Sequence, residues 1–70
     1  MKFDIYGRFQ VEVRRENGAW VIYRIAPGKR YRETDFVIPD DLPPEQIQTY
    51  LDAFYHELAG YGQNIVALPP

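Results

Sequence analysis

Between residues 2 and 14 the apolar side chains Phe3, Ile5, Phe9, Val11 and Val13 all fall at odd positions, with Lys2, Asp4, Arg8, Gln10, Glu12 and Arg14 between them. A period of two is the signature of a β-strand with one buried face. The rest of the chain must therefore supply a cover for that face. Gly7 interrupts the run without shifting its parity, so the pattern predicts one long strand in two parts, 2–6 and 8–15, with a bend or bulge between them.

The chain must then turn at "ENG". A two-residue Asn17-Gly18 loop would pair Val13 with Ile22 and Val11 with Arg24, mixing apolar and charged residues on one face. A three-residue loop with Gly18 in the left-handed conformation pairs Val13 with Val21, Val11 with Tyr23 and Phe9 with Ile25, and keeps one face apolar. That register is the expected one. It places Trp20 opposite Arg14 and Ile22 opposite Glu12, on the face turned away from the core. "APGK" makes a second turn, with Pro27 at the first corner and Gly28 taking the positive φ of a type II turn. A third strand, from about Arg30 to Ile38, ends at Pro39. Its "RYRETD" portion is polar, as suits an edge strand guarded by charge.

After "PDDLPP" the spacing changes to that of a helix. Pro44 suits the first helical position and Glu45 the positive end of the helix dipole. Ile47, Tyr50, Leu51, Phe54, Tyr55 and Leu58 form one stripe about 140° wide, with Tyr61 a further candidate. Gly60 is the expected stop. Ile65, Val66, Ala67 and Leu68 in the tail are enough for a short fourth strand. The predicted fold is a single α+β domain over residues 1–70: a three-stranded antiparallel meander, one C-terminal amphipathic helix on one face, and the option of a fourth strand after the helix.

Seventy residues bury only about 60% of the surface of the unfolded chain, and there is no cysteine to staple the fold or hold a metal. Packing must hold the domain together. With 46% hydrophobic and 16% aromatic residues the composition is that of a folded chain. No apolar run is long enough to serve as a signal peptide or to span a bilayer, which points to a cytoplasmic protein without membrane contact. The net charge of −2 hides a division. Residues 1–32 carry every Lys and Arg, for +5, and residues 33–70 carry seven acids and no base, for −7. Attraction between halves that pack together accounts for that split more simply than a nucleic-acid surface does.

The opening "MKFDIYGR", the hairpin "ENGAWVIY" and the run "DFVIPDDLPPEQIQTYLDAFYHELA" resemble a group of small bacterial proteins of unknown function, single α+β domains of about this length. The resemblance spans nearly the whole chain. It implies a bacterial, cytoplasmic protein, and it brings no catalytic or binding residues with it.

Catalytic chemistry finds little to work with. There is no cysteine or serine, and the hydroxyls of Thr34 and Thr49 have no histidine near them in sequence. His56 has Asp52 one helical turn before it, but it lies on the side of the helix opposite the apolar stripe, and one Asp-His pair is too few ligands for a metal site. Asp40 and Asp41 precede the helix, where acids stabilise its amino end, and Glu33 with Asp35 fall on the edge strand. The glycines are scattered at turns and form no phosphate loop. The expectation is a protein that is not an enzyme and takes no cofactor or metal.

Two binding roles remain. As a protein-interaction domain, the chain would use Trp20 and Ile22 as an apolar spot rimmed by Arg14 and Arg24 on the outer sheet face, to self-associate or to hold a protein partner. As a nucleic-acid binder, it would use Arg8, Arg14, Arg24, Lys29, Arg30 and Arg32 with Tyr31 as a stacking platform. Glu12 and Asp4 lie among those cations, so the protein partner or homodimer is favoured over nucleic acid.

Overall fold

The computed structural model describes residues 1–60 and 62–69. A five-stranded antiparallel sheet is backed on one face by a helix. The strands are β1 (Lys2–Ile5), β2 (Phe9–Glu16), β3 (Ala19–Ala26), β4 (Lys29–Arg32) and β5 (Ile65–Leu68). Their order across the sheet is β4-β3-β2-β1-β5. The helix α1 (Ile47–Tyr55) is entered through a 3₁₀ turn at Pro44–Gln46 and left through another at His56–Leu58. The α+β class and the covering helix agree with the sequence, but the sheet has five strands rather than the three of the expected meander.

The first departure lies at Gly7. Residues 2–15 are not one bent strand but a hairpin, in which Ile5 pairs with Phe9 and Phe3 with Val11. Tyr6 (φ 55°) and Gly7 (φ 71°) both take left-handed backbone, and the Arg8 N–H donates to the Ile5 carbonyl at 2.9 Å. A three-residue loop pairs each residue with one of the same parity. Odd-position alternation therefore continues through the turn as it would through an unbroken strand.

The second departure is the register after β2. Asn17 (φ 51°) and Gly18 (φ 78°) form a two-residue loop, and Val13 pairs with Ile22 and Val11 with Arg24. The primed turn fits the right-handed twist of the flanking strands, and Asn-Gly tolerates its two positive φ angles better than any other pair. That preference outweighs the apolar tidiness of the three-residue alternative. An even-length loop switches parity, so Trp20, Ile22 and Arg24 face the helix, and Val21, Tyr23 and Ile25 face outward. Trp20 and Ile22 are thus not an outer-face spot: Ile22 is buried in the core and Trp20 packs against it.

The helix-facing side tolerates these residues for specific reasons. The Trp20 indole N–H donates to the Leu42 carbonyl at 2.9 Å, and the Arg24 guanidinium stacks 3.8 Å from the Phe9 ring centroid. Pro27-Gly28 turns as expected, with Gly28 at φ 73°. β4 then stops at Arg32, well short of the expected Ile38. The Glu33 N–H still donates to the Ile22 carbonyl at 2.8 Å, but the ladder ends there and the chain crosses over the core, burying Ile38 and packing Phe36 and Leu42 against it.

Helix α1 presses Ile47, Leu51 and Tyr55 onto Phe3, Ile5, Val11, Val13 and Ile22. Each such side chain contributes about 1.5–3 kcal/mol when fully buried. Pro44 opens the helical segment as its sequence position indicates. The end comes before Gly60, where Ala59 is already extended, and Gly60 is not a left-handed cap. Instead its N–H donates to the Gln63 side chain at 2.6 Å in a tight turn. Tyr61, a candidate for the helical stripe, lies outside the described residues. The optional last strand exists as β5, antiparallel to β1 at the sheet edge.

Candidate functional site

The helix and the 33–43 crossover cover one face of the sheet, and no element among the described residues covers the other. Register fixes the outer face: Lys2 and Asp4 on β1, Gln10, Glu12, Arg14 and Glu16 on β2, Val21, Tyr23 and Ile25 on β3, Arg30 and Arg32 on β4, Val66 and Leu68 on β5. This surface divides into two unlike parts.

Over β2, β3 and β4 the side chains fasten one another. Arg30 pairs with Glu12 at 2.5 Å, its guanidinium 4.8 Å from the Tyr23 ring centroid. The Tyr23 hydroxyl donates to Glu16 at 3.1 Å, and Glu16 lies 3.8 Å from Arg14. Val21 is buried although it faces outward. Long charged side chains shield apolar surface with their methylenes while their heads stay wet. Over β1 and β5 no comparable network forms: the Asp4 carboxylate turns back to accept from the Gly7 N–H at 2.9 Å, and Val66 is 52% exposed.

The residues expected to act together are dispersed. Of the interface set Trp20, Ile22, Arg14 and Arg24, only Arg14 lies on the outer face. Of the nucleic-acid set, Arg14, Arg30 and Arg32 face outward, with Arg14 and Arg30 beside carboxylates. Arg24 and Tyr31 face the helix side, Lys29 shares their parity at the strand start, and Arg8 sits in the first loop. Arg15, the remaining base of the hairpin, stacks on Trp20 and donates to the Asp40 carbonyl at 2.6 Å. No continuous basic face results.

The acids and the histidine are equally separated. Asp52 does not face His56 but accepts a hydrogen bond from the buried Tyr6 hydroxyl, tying the first hairpin to α1. Burial and the neighbouring carboxylate push the Tyr6 phenol up to about 12. Tyr55 donates to Glu33 at 3.2 Å, and burial with that nearby charge raises its phenol further above the usual tyrosine range. The exposed His56 ring has Nδ1 3.3 Å from the Ala53 carbonyl. Thr34, Thr49, Asp40 and Asp41 are exposed. Among the described residues no three His, Cys, Asp or Glu stand together as a metal site, and no helix is long and apolar enough to cross a membrane.

Sequence reasoning passed over the β5 edge. Hydrogen-bond phase shows which way its backbone points. Met1 and Val13 exchange both bonds, at 2.7 and 2.9 Å, so alternate residues of β1, Lys2 and Asp4, direct their N–H and C=O groups to β5. Their partners Leu68 and Val66 point inward to β1, which leaves Ile65 and Ala67 with backbone groups aimed away from the sheet. The Ile65 carbonyl accepts from Gln48 Nε2 at 2.8 Å. The signal was present in "IVAL", which carries no charge, against "KRYR" on the opposite edge.

The family model that matches covers residues 1–68, and therefore every strand and the helix. The chain belongs to a domain family of unknown function (DUF7661). No curated protein and no solved structure matches it. Family membership agrees with the small uncharacterised α+β domain that the sequence resembles and assigns no chemistry to any residue.

Proposed function

We propose that this domain is a non-enzymatic protein-interaction module of the bacterial cytoplasm, binding through the β1–β5 part of its uncovered sheet face. The observation that carries this reading is the exposure of Val66 beside Leu68 on a face without a covering layer, at a strand edge that bears no charge. Sheet edges of this kind add strands from partners, with main-chain bonds supplying affinity and alternate side chains supplying specificity. Counting against the nucleic-acid alternative, Glu12 and Glu16 lie between the outward-facing cations and pair with two of them.

The test is capture by the tagged full chain from bacterial cytosol, with and without nuclease, comparing wild type with Val66→Lys and with Arg30→Ala/Arg32→Ala. A protein partner that survives nuclease, tolerates the arginine changes and is lost in Val66→Lys supports the proposal. Recovery that is nuclease-sensitive and lost with the arginines would replace it with the nucleic-acid role. In that case affinity should also fall steeply with salt.

A further inference from the structure

We propose that the free edge of β5 is a self-pairing site, at which a second copy of this chain adds its own β5 antiparallel across a two-fold axis through Ala67. The inference deepens the interaction role above by naming the partner, and it rests on that reading for the choice of surface.

Three observations single out a second copy. First, the two edges of the sheet differ in charge. β4 presents Lys29, Arg30 and Arg32, so pairing it with its own copy would bring like charges together, whereas Ile65–Leu68 has none to repel.

Second, the outward main-chain groups of β5 complement themselves. A continuous antiparallel sheet requires paired residues to share a face, so the axis must pass through one residue. Because Ala67 points outward, it can exchange both hydrogen bonds with its symmetry mate. The next pair of that phase is Ile65 with Pro69 of the other copy. Pro69 has no N–H to give, and the Ile65 carbonyl that would receive it is already satisfied by Gln48. The Ile65 N–H is left to donate to the Pro69 carbonyl. Every outward main-chain donor of β5 then has an acceptor, and the missing donor faces the carbonyl that does not need one.

Third, the side chains match. Val66 pairs with Leu68 of the other copy on the outer face, twice, at the close non-hydrogen-bonded spacing. On the helix side the small Ala67 borders an apolar groove with Met1, Phe3 and Pro44, which leaves room beside the edge. A four-residue strand buries little surface, so the dimer is weak and concentration-dependent.

The chain has no cysteine, so one engineered thiol reports one contact. Opposed residues in a hydrogen-bonded pair stand about 5.5 Å apart at Cα, within the about 4.4–6.8 Å that a disulfide spans. Ala67→Cys should cross-link to itself under mild oxidation at high protein concentration, and Ile25→Cys, on the outer face and away from the edge, should not. Ala67→Pro removes a donor that the monomer's ladder does not use and should weaken association, read by sedimentation, about tenfold or more. Exchange protection in β1 and β2 would show that this variant still folds.

A monomer at all concentrations, or a dimer indifferent to Ala67→Pro and to the position of the cysteine, overturns self-pairing. If the chain is monomeric yet a captured protein is lost in Val66→Lys, the interaction role stands and only the identity of the partner is wrong. If neither association depends on this surface, both fail.

Discussion

The two edges of the sheet solve the same problem differently. β4 keeps its outward N–H groups, those of Arg30 and Arg32, behind a run of positive charge, and its side chains are all exposed. β5 has no charge, anchors one end by burying Ile65, and has one outward carbonyl capped by a helix glutamine. Positive charge repels a second copy of the same edge, whereas a cap and a proline restrict which chains fit. An edge protected by repulsion is closed to its own copy, and an edge protected by geometry is selective.

The sharpest way to test this contrast is to truncate one residue at each edge. Ile65→Ala should cost about 2–4 kcal/mol, because it leaves a cavity beneath β5. Tyr31→Ala on β4 should cost within about 0.5 kcal/mol, since the ring is 48% exposed. Comparable losses in urea unfolding would break the comparison.

Tyr6→Phe comes next. It deletes the hydroxyl that ties the hairpin leading into β2 to Asp52 on α1, and should cost about 1–3 kcal/mol. The same bond has a pH signature. Tyr6 is raised to about 12 in the fold against about 10 in an unfolded chain. The fold keeps its contribution in full below about pH 10 and loses it as pH rises through 12. Tyr55, raised for the same reasons, adds in the same direction. Alkaline denaturation curves of wild type and Tyr6→Phe should converge toward high pH.

Gln48→Ala should cost about 0.5–1.5 kcal/mol by uncapping the Ile65 carbonyl. It also tests the selectivity of the β5 edge, because the freed carbonyl then accepts strands that Pro69 cannot satisfy. A small effect is also expected at Arg30→Ala, where a pair with Glu12 that is open to solvent is worth about 0.2–1 kcal/mol. Replacing both Arg30 and Arg32 by Val should leave thermal stability nearly unchanged and make the protein associate through β4, visible as larger species by light scattering.

Much of this fold was legible in the residues. The alternation of Phe3 to Val13, the Pro27-Gly28 turn, the Pro44 helix start and the Ile47–Leu51–Tyr55 stripe are local signals, and each reappears in the structure. Two turns misled for a common reason, that parity does not report loop length uniquely. At Tyr6-Gly7-Arg8 an odd loop preserves parity and hides a hairpin. At Asn17-Gly18 an even loop reverses it, and the backbone preference of Asn-Gly decides against the tidier apolar pairing. The misplacement of Trp20 and Ile22 follows directly from that one register, and with it the loss of the expected interface spot. The β5 edge was harder to see because its outward groups depend on the hydrogen-bond phase of β1, which is set by Met1 and Val13, more than fifty residues away.

Residue-resolved amide exchange, recorded at low and high protein concentration, reads both edges at once. The Ile65 and Ala67 amides should slow as concentration rises, while the outward amides of Arg30 and Arg32 exchange at an unchanged rate. Protection that appears on β4, or β5 amides that ignore concentration, would contradict the assignment of β5 as the pairing edge.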